Sequence, residues 1–221
     1  MILLAADTSG QNGSIALARV DPAYETLDVV PLVGGTFSAQ LVPQIAALLS
    51  RHGFGKQDIG AFVVASGPGS FTGLRVGLAA IKALAEALDK PIVAVSLLEV
   101  LAVAGQVSGR VGSALNAGRG EVYVGEYEVD GDTAGLMVEL LLPVEDFLKT
   151  SRSWTVVTED QSLAEVARGA GLKVRKVDPP RSDAVGRVGW KKLQAGNTIS
   201  AENLEANYIR RSDAEIFSKK T

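Results

Sequence analysis

A chain of 221 residues is long enough for one large domain or two small lobes, each able to bury a core. Its apolar fraction of 47% excludes a disordered protein, and the absence of cysteine excludes disulfides, thiolate chemistry and cysteine metal sites. With a single histidine, His52, any metal site would rest on carboxylates, and the net charge of −3 combines an acidic body with a basic end in which residues 168–221 carry 12 Lys+Arg against 6 Asp+Glu.

The apolar start has no basic flank and no cleavage signature, and the apolar stretch 77–88 is interrupted by Lys82 and Glu86. We therefore expect a cytoplasmic protein without a membrane span. Residues 1–7 read as a strand entering an Asp-Thr-Ser-Gly turn, and 13–20 and 27–33 as two more strands joined through Asp21-Pro22. Over 38–51 the spacing of Leu41, Val42, Ile45, Leu48 and Leu49 predicts a helix, stopped at Gly53, with Pro43 near its start or kinking it. Residues 61–65 are a buried strand, 74–89 a helix capped by Thr72 or Ser70, 91–95 a strand, and 97–104 a helix capped by Ser96. The order βββαβαβα predicts a mixed sheet covered by helices.

A soft boundary near 105–110 divides the chain into lobes 1–105 and 106–221. The second lobe reads as strands 110–115, 121–129, 136–141, 154–157 and 173–177, with helices at 143–149, 162–168 and 182–193. Residues 203–213 read as irregular. We read no internal repeat.

Asp7-Thr8-Ser9-Gly10 before Gly13 places an acid at a strand end beside a small-residue hairpin. Such a turn grips phosphate in sugar kinases and actin-like ATPases. Equally it is a polar turn whose acid satisfies backbone amides, and this motif alone favours that reading. The run Gly67-Pro68-Gly69-Ser70-Phe71-Thr72-Gly73 feeds a helix N-terminus and could present amides to an anion, but it lacks the lysine and spacing of a P-loop. A tight strand-to-helix crossing explains it as well, and both readings stand at this point.

On the following helix Arg75, Lys82, Glu86 and Asp89 fall in one narrow stripe, and the rest is apolar. Such a helix needs cover on two sides. We expect a subunit contact formed with helix 38–51, using Leu41, Ile45, Leu48, Leu74, Leu78 and Ile81. His52 reads as a surface or capping residue.

The segment Ala65-Ser66-Gly67-Pro68-Gly69-Ser70-Phe71-Thr72-Gly73-Leu74-Arg75-Val76-Gly77 resembles the signature of the TsaB/TsaD family. Asp7-Thr8-Ser9, Arg119-Gly120-Glu121-Val122-Tyr123 and Asn207-Tyr208-Ile209-Arg210-Arg211-Ser212-Asp213-Ala214-Glu215 extend the likeness along the whole chain. The resemblance implies an α/β, actin-like ATPase or sugar-kinase-like (ribonuclease H-like) fold of two lobes, with a tail from about residue 200 returning to the first. It selects the TsaB branch, because the TsaD branch is longer and carries a His-x-x-x-His metal pair where this chain has Leu97 and Leu101.

The implied role is a non-catalytic dimerisation scaffold in the complex that adds threonylcarbamoyl to N6 of adenosine 37 in tRNAs reading ANN codons. The implied partners are TsaD and the ATPase TsaE, with homodimerisation when alone and tRNA met only through the complex. No cofactor and no metal are expected, and Asp7, Thr8 and Ser9 would be a vestigial phosphate loop. Asn116 stands where the family suggests Asp. The competing reading is an ATP-dependent transferase or kinase acting alone. A peptidase reading has no Cys, metal pair or Ser-His arrangement to support it.

Overall fold

The computed structural model describes residues 1–209; the signature residues Arg210 to Glu215, and the end of the segment expected to be irregular, lie outside the described residues. The first lobe runs β1 (Ile2–Asp7), β2 (Gly13–Val20), β3 (Tyr24–Leu32), α1 (Phe37–Arg51), β4 (Ile59–Gly67), α2 (Phe71–Leu88), β5 (Ile92–Ser96) and α3 (Leu97–Ala104). The second runs β6 (Gly109–Gly118), β7 (Glu121–Asp130), β8 (Thr133–Pro143), α4 (Val144–Thr150), β9 (Thr155–Thr158), α5 (Gln161–Gly169), β10 (Lys173–Lys176) and α6 (Ser182–Gln194).

The two halves repeat one plan. The sheets have the orders β3-β2-β1-β4-β5 and β8-β7-β6-β9-β10, with the first three strands antiparallel and the last two parallel to the central one. This is the ribonuclease H-like sheet, present twice. The repeat is invisible in the sequence because it lives in strand order and burial pattern, not in residue identity.

Alternation along β1 sorts the layers. Ile2, Leu4 and Ala6 face α1 and α2, while Leu3 and Ala5 face α3 and α6. α6 therefore packs on the first sheet although it follows the second, a return that the boundary near 105 does not anticipate. Two glycines permit it. A Cβ on Gly186 would lie 2.3 Å from the Tyr24 hydroxyl, and one on Gly189 would lie 2.3 Å from Val63. α3 is shared: Leu97 and Val100 join the first lobe, Leu98 and Ala102 the second. Its buried Glu99 is paired with Lys192 of α6 at 2.8 Å.

The chain then returns to the first lobe. Ile199 donates its amide to Ile92 of β5 at 2.9 Å, and Leu204 enters the core beneath α2. Lys82 donates to the Glu202 carbonyl, so part of the polar stripe on α2 faces this tail instead of water. Among the described residues no helix is long and apolar enough to cross a membrane.

One close approach sets the position of α2. A Cβ on Gly73 would lie 2.1 Å from the Thr8 carbonyl oxygen. We predict that Gly73→Ala lowers unfolding free energy by about 2–4 kcal/mol, as overpacking against fixed backbone does. Urea unfolding followed by circular dichroism measures this, and an unchanged midpoint would contradict it.

Candidate functional site

The hairpin turn and the signature loop meet at the N-terminus of α2. Asp7 ends β1 with its carboxylate buried, and its Oδ1 accepts from the Ser9 amide at 2.9 Å and the Ser9 hydroxyl at 2.6 Å. Thr8 donates its hydroxyl to the Gly73 carbonyl at 2.7 Å, and the Ser70 amide donates to the Ser9 carbonyl at 2.6 Å. Ser70 caps α2 by accepting from the Gly73 amide. The glycines serve this contact: a Cβ on Gly69 would lie 2.5 Å from the Ser9 carbonyl, and one on Gly77 would lie 2.3 Å from the Thr8 hydroxyl. Gly67 adopts a φ of 119°, which an L side chain rarely tolerates. Of the two readings of the loop, the crossing is the one built here. The Ser70 amide holds the turn and the Gly73 amide holds the Ser70 cap.

In front of this contact lies a cleft of about 440 Å³ between the lobes, lined by Ser9, Pro68, Gly69 and Ser70 on one side and Asn116, Tyr123 and Glu159 on the other. Its charge is acidic. Burial holds Asp7 above the usual carboxylate range, with the Ser9 hydrogen bonds opposing the shift. Glu159 is raised by burial and then by the charges of Asp7 and Asp160. No Lys or Arg among the described residues lines the cleft. Among the described residues no three His, Cys, Asp or Glu are placed to share a metal ion. Asn116 donates its side-chain amide to Asp160 at 3.2 Å and accepts from the Gly118 amide. An Asp at 116 would face Asp160 with like charge, so the amide suits its neighbours.

The expected contact residues require correction. Leu41, Ile45, Leu48, Leu74, Leu78 and Ile81 are all buried in the core under α1 and α2. They fill the gap to the sheet, each contributing about 1.5–3 kcal/mol of burial, and cannot touch a partner. The outer surface is made of small residues. On α1 it exposes Ala39, Val42, Pro43, Ala46 and Ala47, and on α2 Thr72, Ala79, Ala83 and Ala87. Val42 is 48% exposed. Two helices packed side by side thus present one flat apolar face, rimmed by Arg75 and Glu86. The signal was available in the sequence, since the small flank of α2 is the side opposite its large residues.

His52 caps the C-terminus of α1, and its Nε2 lies 3.2 Å from Asp28. Leu97 and Leu101, where the resemblance expects the TsaD metal pair, are buried apolar residues.

Fold and site together define a two-lobed ribonuclease H-like protein with an acidic interlobe cleft and an open helical face. Comparisons with known proteins agree. A family model described as TsaD, tRNA N6-adenosine threonylcarbamoyltransferase, matches residues 29–168. The Bacillus subtilis tRNA threonylcarbamoyladenosine biosynthesis protein TsaB is 40% identical over 129 residues, covering 58% of this chain and 56% of that protein, so the match spans about half of the relative's length. The Escherichia coli protein of the same name is 28% identical over 97% of this chain and 96% of that one. A Pseudomonas aeruginosa crystal structure, described as an uncharacterized protein with similarity to peptidase YeaZ, superposes with a TM-score of 0.78 at 28% identity, covering 95% of this chain and 99% of that one. The chain belongs to the TsaD family, in its TsaB (YeaZ-like) branch.

The buried acid gives a test. Asp7 has a folded-state pKa raised above its unfolded value, so the folded state holds the proton more tightly. That contribution is present at low pH and is lost as pH rises through the raised value. At neutral pH the carboxylate costs stability. Asp7→Asn keeps an acceptor for Ser9 and removes the charge. We predict that it raises Tm at pH 7.5 by about 2–4 °C, the shift of a gain near 1 kcal/mol in a chain of this size. The gain should shrink at pH 4, measured by differential scanning calorimetry. Equal or lower stability at pH 7.5 would contradict the account.

Proposed function

We propose that the chain is a non-catalytic subunit in the biosynthesis of threonylcarbamoyladenosine on tRNA. It docks a TsaD-type catalytic subunit on the α1–α2 face, and the ATPase TsaE joins the assembly. Alone, the chain pairs with a second copy through the same face, and it meets tRNA only through the complex. The observation that carries this reading is the small-residue face itself, which lies open above a core already filled by the larger side chains. Alanine and threonine let a partner helix approach closely, and flat apolar helix pairs are stable chiefly when covered.

The cleft supports the non-catalytic part. The Ser70 amide is spent on the hairpin turn and the Gly73 amide on the Ser70 cap, no Lys or Arg is among the described residues that line the cleft, and the positions assigned to the TsaD metal pair are leucines in the core. A catalyst acting alone would need groups poised at the reacting atoms.

Val42→Asp and Ala79→Asp each place a charge on the face without entering the core. We predict that each lowers association with the TsaD-family subunit of the same organism at least 100-fold, the effect of desolvating an unpaired carboxylate at an interface centre (about 3 kcal/mol or more). Melting temperature should change by less than about 3 °C, as surface substitutions do. Analytical ultracentrifugation reads association, and wild-type binding by both variants would refute the face. Ile45→Asp and Leu78→Asp, by contrast, should unfold the chain, since both positions are core.

A further inference from the structure

One edge of the α1–α2 face departs from its small apolar residues and is aromatic and charged. Phe71 opens α2, and Arg75 follows one turn later. The Arg75 guanidinium carbon lies 3.7 Å from the centroid of the Phe71 ring, and Nε donates to the Tyr208 hydroxyl at 3.2 Å. The Tyr208 ring lies 5.2 Å from that of Phe71. Both rings remain well exposed, at 39% and 44%. The returning tail holds Tyr208 in place. The neighbouring Asn207 donates its amide to the Ser66 carbonyl at 2.7 Å, and its side chain bonds Glu139 of β8.

A guanidinium has five N–H donors, and Tyr208 takes the one on Nε. The four on the terminal nitrogens are not used by Tyr208, and among the described residues no carboxylate forms an ion pair with Arg75. The group is a charged fork, flattened on an aromatic ring and fixed before any partner arrives. Aromatic residues with arginine are the composition enriched at the energetic centres of protein contacts, and a planar fork matches a carboxylate through two parallel hydrogen bonds.

We infer that Arg75 is the polar anchor of the α1–α2 face, taking a carboxylate of the partner protein on its free edge, with Phe71 and Tyr208 as positioning residues. The inference rests on the reading of that face as the docking surface, with which the cluster is continuous through Thr72 and Ala79. A protein carboxylate fits better than an RNA phosphate. Glu86 is exposed on the same stripe, and Lys82 is engaged with the tail carbonyl of Glu202. Among the described residues a phosphodiester backbone would meet one free cation and one acid here, where polyanion binding needs several cations in a row.

The test measures dissociation constants between the full chain and the TsaD-family subunit of the same organism by isothermal titration calorimetry. Arg75→Ala should weaken binding about 10- to 100-fold with Tm nearly unchanged, and Arg75→Lys should stay about tenfold weaker because an ammonium cannot fork. The loss should be largest at low salt and shrink at 0.5 M NaCl. If Arg75→Ala binds within twofold of wild type while Ala79→Asp does not bind, the face stands and the anchor is wrong. If both bind as wild type, the docking surface itself is wrong. If Arg75→Ala fails to fold, Arg75→Lys decides, and binding within twofold of wild type overturns the fork. If association survives but the assembled complex loses tRNA, the anion is phosphate and the proposal fails.

Discussion

The structure depends on a backbone contact between the β1–β2 turn and the first turn of α2. The carbonyl of Thr8 occupies the space where a Cβ of residue 73 would be, and the Thr8 hydroxyl returns a hydrogen bond to the Gly73 carbonyl. Only glycine allows two backbones this close. The contact seats α2 against β4 and so sets the height of the α1–α2 face above the sheet. It also consumes polar groups that an anion would need at that helix end. One arrangement therefore positions the α1–α2 face and engages the Ser70 and Gly73 amides.

The lobes are joined behind the cleft by a polar node. Glu139 of β8 accepts hydrogen bonds from Ser96 at the β5–α3 junction, Tyr127 of β7 and Asn207 of the tail. Burial and the Glu139 charge push the Tyr127 hydroxyl far above its ordinary range, so it remains a donor at any physiological pH. α3 adds an apolar floor shared by both sheets. β8, α3 and the tail thus all contribute contacts between the two lobes.

Much of this was legible in the sequence. Strand-helix alternation, the Ser96 cap and the turn at Asp21-Pro22 follow from local chemistry; of the two caps expected for the helix over 74–89 the structure uses Ser70, and that helix is observed as Phe71–Leu88. The contact residues were misjudged for a definite reason. Leu41, Ile45, Leu74 and Leu78 lie on the sheet-facing sides of their helices, and large apolar residues there are taken up by the sheet before a partner can use them. The apolar residues left exposed on the two helices are mostly small, with Val42 and Phe71 the larger exceptions. The return of the tail follows from the family resemblance and not from local pattern, because Tyr208 and Arg75 are 133 residues apart, and the packing of α6 on the first sheet is likewise a long-range contact. The paired glycines Gly186 and Gly189 were the one local sign that α6 lies close against something flat.

The central claim is that this chain contributes a helical face and leaves the chemistry to its partner. Hydrogen–deuterium exchange of the chain, free and saturated with the TsaD-family subunit, tests it directly. The account predicts new protection in peptides covering Phe37–Arg51 and Phe71–Leu88, where bound helices open less often, with β6 to β10 unchanged. Protection confined to the second lobe or to the interlobe cleft, with both helices exchanging as in the free chain, would contradict it.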